Sequence, residues 1–290
     1  MKIGIFGSQY QAGKQNAIKE LFDRLQNRNA EIWVEEHFYH YLSQTFAFTP
    51  EIKGLIDSDT FLLDMAFSLG GDGTFLRTAA WAGRQPIPVL GINTGHLGFL
   101  ADIGTSEINK TIEEIFRGEY RIEEKSLLQL ESSGLFPFPS PYALNEIAVL
   151  KRDTASMITV SVYLNDEFLT EYLADGLLLA TPTGSTAYNL SVNGPIILPQ
   201  SGSFVLSPVA PHSLNMRPLV IPEDYKIRLQ VESRQKNFLV SLDGRSTAFP
   251  SGSEFLIRKA DFTLKVVKRL QQNFYDTLRK KLLWGTDARK

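Results

Sequence analysis

A largely apolar run from Leu62 to Leu69 stops at Gly70-Gly71-Asp72-Gly73-Thr74, and a helical pattern follows from Thr74 to Ala82. A buried strand that passes through a glycine turn into a helix constrains a chain strongly, because parallel strands need such crossover helices between them. The surrounding sequence repeats the arrangement. Lys2 to Phe6 reads as a short buried strand ended by Gly7, and Asn16 to Gln26 sets Ile18, Leu21, Phe22 and Leu25 on one helical face. Ala30 to Val34 and Pro88 to Ile92 are further strands, and Ile108 to Arg117 is a closing helix. This order predicts an α/β domain with a parallel sheet covered on both faces.

The texture changes after Arg121. Leu127 to Glu131, Ala143 to Leu150, Ile158 to Leu164, Leu177 to Ala180, Tyr225 to Glu232, Phe238 to Leu242, Glu254 to Arg258 and Phe262 to Lys268 are short strand-like runs. Asn165-Asp166 and Asp243-Gly244 are turn dipeptides between them. The expectation is a β-rich second domain, followed by a helix from Phe274 to Trp284 that returns to the first. The corresponding boundaries are 1–122, 123–268 and 269–290.

Composition narrows the function classes. The chain has 290 residues, room for two domains, and no cysteine, which removes disulfides, thiolate metal sites and cysteine nucleophiles together. The formal charge of −2 does not suit a protein whose main partner is nucleic acid. No apolar run reaches the roughly 18 residues of a membrane span, and the N-terminus lacks a signal-peptide core, so a cytoplasmic location is expected. The basic run Arg279-Lys280-Lys281 reads as the solvated face of the last helix.

Backbone N–H groups at a glycine-rich turn before a helix form a site for phosphate oxygens. A carboxylate in such a loop repels phosphates. Asp72 therefore either caps the helix, takes a proton from a hydroxyl that attacks a phosphate, or helps hold a divalent ion. Gly7 to Lys14 has the wrong spacing for a P-loop, and no GxGxxG is present. A second stretch, Thr181-Pro-Thr-Gly-Ser-Thr-Ala-Tyr188 running on to Pro195, is uncharged and rich in small hydroxyl residues. It suits a loop whose hydroxyls and backbone groups bond the edge of a planar polar ligand. Glu146 and Asp175 each stand at the start of an apolar strand, where a carboxylate either accepts two hydrogen bonds from a ribose diol or is simply an exposed turn acid. His37 and His40 have metal-ligand spacing but no third partner and read as surface residues, while His96 and His212 sit in loops able to line a cleft.

Taken together, GGDGT at 70–74, NTGHLGFL at 93–100, LNE at 144–146, DG at 175–176, TPTGSTAY at 181–188, SPVAPHSL at 207–214 and LLWG at 282–285 resemble the NAD kinase family over essentially the whole chain. GGDGT alone is shared with diacylglycerol- and sphingosine-type lipid kinases; the TPTGSTAY stretch is not. The resemblance implies transfer of a phosphoryl group from ATP, or another donor, to the adenosine ribose 2′-hydroxyl of NAD. It implies Asp72 as the general base, with Gly71, Gly73, Thr74 and Arg77 around the transferring phosphates. Asn145 and Glu146 would hold the adenosine ribose and adenine, Thr186, Ala187, Tyr188 and Ser191 would surround the base, and Asn189 and Leu190 would be among the cofactor-binding residues. Asp175 and Ala210 would face the nicotinamide end, and Arg245 would stand among the cofactor-binding residues where the family leads one to expect Gln or Asn. The resemblance further implies Mg²⁺ delivered with the nucleotide rather than held in a protein cage, and a homodimer or homotetramer. Ser156 and Leu173 are uncharged where many relatives carry basic residues. A lipid kinase and a non-catalytic dinucleotide sensor using the same cleft are the competing expectations.

Overall fold

In the computed structural model, described over residues 1–9, 13–56, 62–95, 97–132, 134, 136–152 and 156–285, the chain divides into two units. These are Met1–Glu124 with Leu264–Lys290, and Lys125–Thr263.

The first unit opens with β1 (Lys2–Gly7), α1 (Gln15–Asn27), β2 (Glu31–Glu35), α2 (Glu36–Thr45), β3 (Gly54–Ile56), β4 (Met65–Gly70), α3 (Asp72–Ala82), β5 (Val89–Asn93), β6 (Ile103–Gly104) and α4 (Ile108–Phe116). Strands pair in the order β3-β2-β1-β4-β5, all parallel, with β6 also parallel to β5. This is the α/β domain with a parallel sheet that the alternating pattern predicts. The predicted face of α1 is the buried one: Ile18, Leu21, Phe22 and Leu25 are all buried. Each such side chain contributes about 1.5–3 kcal/mol by leaving water. Helix α2 carries only Phe38 and Leu42 as buried residues, too sparse an apolar stripe to stand out in sequence. It is set by Glu35, whose carboxylate accepts the Phe38 N–H at 2.8 Å and caps the first turn.

The second unit is β-rich. It contains β7 (Tyr120–Ser132, which begins in the first unit), β8 (Tyr142–Ala143), β9 (Glu146–Lys151), β10 (Ile158–Leu164), β11 (Glu167–Ala174), β12 (Gly176–Ala180), α5 (Tyr188–Ser191), β13 (Ser203–Val209), β14 (Leu219–Pro222), β15 (Ile227–Ser233), β16 (Asn237–Leu242) and β17 (Arg245–Pro250). One antiparallel sheet runs β14-β13-β12-β9-β16-β17. A second antiparallel set, β11-β10-β15, is extended by the start of β18 (Ser253–Arg269). Inward side chains from both, Val160, Leu229 and Phe255 with Leu177, Phe204 and Phe238, form one buried core. The turn dipeptides are as predicted: Asn165 and Asp166 have φ of 48° and 69°, and Asp243 and Gly244 have φ of 48° and 82°.

Three strand expectations change. The run Ala143 to Leu150 is interrupted at Leu144-Asn145, because the N–H groups there are taken by a side chain (below) rather than by a ladder. Glu254 to Arg258 and Phe262 to Lys268 are one continuous strand, since Ala260 between them is buried. Its far end lies parallel to β5 through Val266 and Val89 in the first unit. After it comes α6 (Phe274–Leu282), capped by the Asn273 side chain, which accepts the Asp276 N–H at 2.9 Å.

Candidate functional site

In the first unit, β4 passes into α3 with Gly71 as the N-cap and Asp72 as the first helical residue. The expectation of a helix from Thr74 with Asp72 as a possible cap is therefore corrected: the helix begins earlier and no side chain caps it. The Asp72 carboxylate instead points away along the chain. It accepts the backbone N–H groups of Phe99, Leu100 and Ala101 at 2.9, 3.0 and 3.0 Å. This ties the GGDGT loop to the NTGHLGFL loop, and Gly98 makes the approach possible: a Cβ there would lie 1.9 Å from Asp72 Oδ1. His96 of the same loop lies outside the described residues.

Gly71 and Gly73 are exposed, and a Cβ on either would meet nothing within 4 Å. Their bareness serves no internal packing and leaves the backbone open to an approaching anion. Thr74 is buried, and Arg77 is exposed one turn along α3. Both line a cavity of about 410 Å³ with Phe6, Gly7, Glu35, His37 and Trp81, within the size range of small-molecule sites. Trp81 packs on Phe6 with ring centroids 4.5 Å apart.

Lys281 departs from the solvated-face expectation. Its ammonium lies 3.5 Å from Asp72 Oδ2 and 4.6 Å from the centre of the Phe99 ring. No sequence signal in the last helix distinguishes it from its basic neighbours. Its place follows from α6 docking through Phe274 against Phe99, ring centroids 6.3 Å apart.

In the second unit a second aspartate does the same work. The Asp243 carboxylate accepts the N–H groups of Leu144, Asn145 and Glu146 at 2.7, 2.8 and 3.1 Å. Burial pushes the Asp243 carboxyl upward in pKa while those three donors pull it back. The main chain at 144–146 is thereby fixed, and two acceptors are left over: Asn145 Oδ1 and Glu146 Oε2 are buried without a hydrogen-bond partner among the described residues. Buried acceptors are rarely left so, and a ligand donor is one way to satisfy them. Burial first, and then the neighbouring Asp243 charge, raise the Glu146 carboxyl to about 7.

The TPTGSTAY loop packs on this segment. Thr181 Oγ1 donates to the Leu144 carbonyl at 2.6 Å, and a Cβ on Gly184 would lie 2.0 Å from the Asn145 carbonyl oxygen. Ser185 and Thr186 hydroxyls donate to Pro182 and Thr183 carbonyls. The hydroxyls expected to bond a base edge thus shape the loop from inside. Asn189 is fully buried, donating to the Ser185 and Pro195 carbonyls and accepting the Ser207 hydroxyl at 2.6 Å. Thr186, Ala187 and Leu190 are partly exposed, and Tyr188 and Ser191 are exposed.

Asp175 is paired with Lys151 at 2.7 Å, and Ala210 is exposed with φ of 42°. Arg245 donates to the carbonyls of Leu242 and Tyr142 at 3.1 and 2.6 Å, so its guanidinium braces backbone. Ser156, Leu173 and His212 line a separate cavity of about 560 Å³ with Glu232 and Arg234. His37 and His40 are on the surface beside Glu35 and Glu36. Among the described residues, no helix is long and apolar enough to cross a membrane.

Two family models match, the ATP-NAD kinase N-terminal domain over residues 3–120 and the ATP-NAD kinase C-terminal domain over residues 144–269. The chain is 50% identical over 289 residues to the NAD kinase of Bacteroides fragilis, covering 100% of both chains. It is 48% identical to that of Porphyromonas gingivalis, covering 99% of both. Among solved structures it is similar in fold to a yeast NADH kinase complexed with NADH, with TM-score 0.88 and 24% identity over 99% of this chain and 89% of that one. It is also similar to an NAD kinase from Archaeoglobus fulgidus in complex with ATP, with TM-score 0.75 and 25% identity over 96% and 99%. With both domain models matched in order and half of all positions shared with a full-length relative, the chain belongs to the NAD kinase family.

Proposed function

We propose that this protein phosphorylates the adenosine ribose 2′-hydroxyl of NAD to give NADP, with ATP as donor and Mg²⁺ carried by the triphosphate. The observation that carries the reading within this chain is the pair of buried, unpartnered acceptors on Asn145 and Glu146. A ribose diol and an adenine amine supply donors of the kind those acceptors lack. Asp72 acts as general base on the hydroxyl, Gly71, Gly73 and Thr74 cradle the transferring phosphates, and Arg77 offsets their charge. The magnesium ion would be held by phosphate oxygens and water, where it neutralises the charge developing in transfer. The test is incubation of the purified chain with Mg²⁺, ATP and NAD, reading NADP with an NADP-specific dehydrogenase. Absence of NADP with ATP, with other donors and with NADH in place of NAD would refute the reading.

Glu146 gives the reaction a pH dependence. Burial raises its carboxyl to about 7, and the carboxylate is the stronger acceptor for the ribose hydroxyl that Asp72 does not deprotonate. KM for NAD is expected to rise as pH falls through 7, and Glu146→Gln should raise KM at pH 8 while flattening that rise. Stability moves the other way. Because the folded pKa lies above the unfolded value, the protonated group favours the fold, and that contribution is lost as pH climbs from about 4.5 through about 7. Thermal melting of wild type and Glu146→Gln across that range reads the difference.

The cavity beside Thr74 and Arg77 accommodates the donor nucleoside, with Trp81 as its aromatic wall. Stacking of a base on an aromatic ring is worth about 1–3 kcal/mol. Trp81→Ala is therefore expected to raise KM for ATP about tenfold and leave KM for NAD unchanged. Equal shifts in both constants would remove the nucleoside from this cavity.

A further inference from the structure

A carboxylate in a phosphate loop poses an electrostatic problem, since Asp72 sits where the donor's charge must gather. The structure answers it from the far end of the chain. Lys281, on α6, places its ammonium 3.5 Å from Asp72 Oδ2. Three further features hold it there. The ammonium lies over the face of the Phe99 ring at 4.6 Å, a favourable place for a cation. The N–H of Phe99 itself donates to Asp72, so one residue fixes both members of the pair. Phe274 of α6 packs against the same ring. Both partners are only about a third exposed, so water screens the pair incompletely.

We infer that Lys281 is a positioning residue of the phosphoryl-transfer site: it balances the charge of Asp72, so that a triphosphate can approach a loop that contains a carboxylate. This rests on the NAD kinase reading for its place in a reaction, but the pairing concerns triphosphate binding and is measured without turnover. Lys281→Met keeps much of the stem and the ring contact while uncovering Asp72.

The test is calorimetric titration of MgATP into wild type, Lys281→Met, Lys281→Arg, Asp72→Asn and the double variant Asp72→Asn/Lys281→Met, each first checked by thermal melting. Lys281→Gln takes the place of the Met variant if that one melts early. Lys281→Met is expected to bind MgATP about tenfold more weakly, from repulsion of the triphosphate by an unbalanced Asp72 charge. Lys281→Arg should stay within about threefold of wild type. The decisive arm is the double variant, which should recover the affinity of Asp72→Asn, because no charge remains to be balanced. A merely structural role for Lys281 predicts no such recovery. Wild-type affinity in Lys281→Met overturns the inference. So does a double variant as weak as Lys281→Met, which would mean that the ammonium contacts the triphosphate directly. Failure of wild type to make NADP would count against the NAD kinase reading alone, since the binding series would still decide Lys281. Failure of wild type to bind MgATP would overturn the inference about Lys281 and leave the NAD kinase reading to the turnover assay with other donors.

Discussion

Asp72→Asn is expected to lower kcat for NADP formation by about 10²–10⁴-fold, the range that proton transfer by a positioned base supplies. KM for NAD should stay near that of wild type, because the acceptors proposed for the ribose, Asn145 and Glu146, belong to the other unit. The substitution also touches structure, and the two effects are separable. An Asn oxygen can still accept from Leu100 and Ala101, while its amide nitrogen, a donor, would face the Phe99 N–H and the Lys281 ammonium. Leaving that N–H unmet costs about 1–3 kcal/mol and loosens the 99–101 loop. Thermal melting reports this loss, and single-turnover kinetics at saturating substrates report the chemistry. Retention of more than about a tenth of wild-type turnover would remove Asp72 from the role of base and leave it only the clamp.

Gly184→Ala should be damaging through packing alone. The added Cβ would lie 2.0, 2.4 and 2.7 Å from the carbonyl oxygen, carbonyl carbon and Cα of Asn145. Those are backbone atoms at the start of β9, held by Asp243 on one side and by the sheet on the other, so they cannot swing aside as a side chain would. Overpacking of this kind costs about 1–3 kcal/mol. Relief requires the TPTGSTAY loop to lift away from the Asn145-Glu146 segment. KM for NAD is expected to rise by at least about tenfold, with MgATP binding to the first unit unchanged. A variant with wild-type melting temperature and KM would show that the loop has room to shift, and the rigidity argued for it would be wrong.

Elements with a complete local signature were legible in the sequence. The α1 face, the buried strands of the first unit and the two positive-φ turn dipeptides all carry their cause within a few neighbouring residues. Strand β11 carries no such cause: Glu167, Phe168, Glu171 and Leu173 are exposed on it, so no apolar alternation marks it, and it exists by pairing with β10. Helix α2 depends on one cap and two buried side chains. At the site, GGDGT and LNE were legible as residue types, but their partners were not. Asp72 meets residues 27 to 29 positions away, and Asp243 meets residues 97 to 99 positions away. In sequence, Asp243-Gly244 announces only a turn. Lys281 is further still from Asp72, within a run of three basic residues among which only the docking of α6 selects. The hydroxyls of Thr181, Ser185 and Thr186 mislead for a related reason: composition reports what a loop can offer but not what its own backbone has already taken.

The two aspartate clamps, one in each unit, also bear on how the segments they hold tolerate change. Each gathers three consecutive main-chain donors, and a main-chain donor is supplied by every residue type except proline. The clamp therefore asks almost nothing of the identities at 99–101 or at 144, and concentrates its demand on one carboxylate and on the absence of proline opposite it. The clamp thus leaves the choice of side chain there to packing, which holds Leu100, Ala101 and Leu144 by burial and Phe99 by its contacts with Lys281 and Phe274. Drift at either aspartate has no such freedom, since Glu would push the loop outward by a methylene and Asn would reverse the sense of one bond.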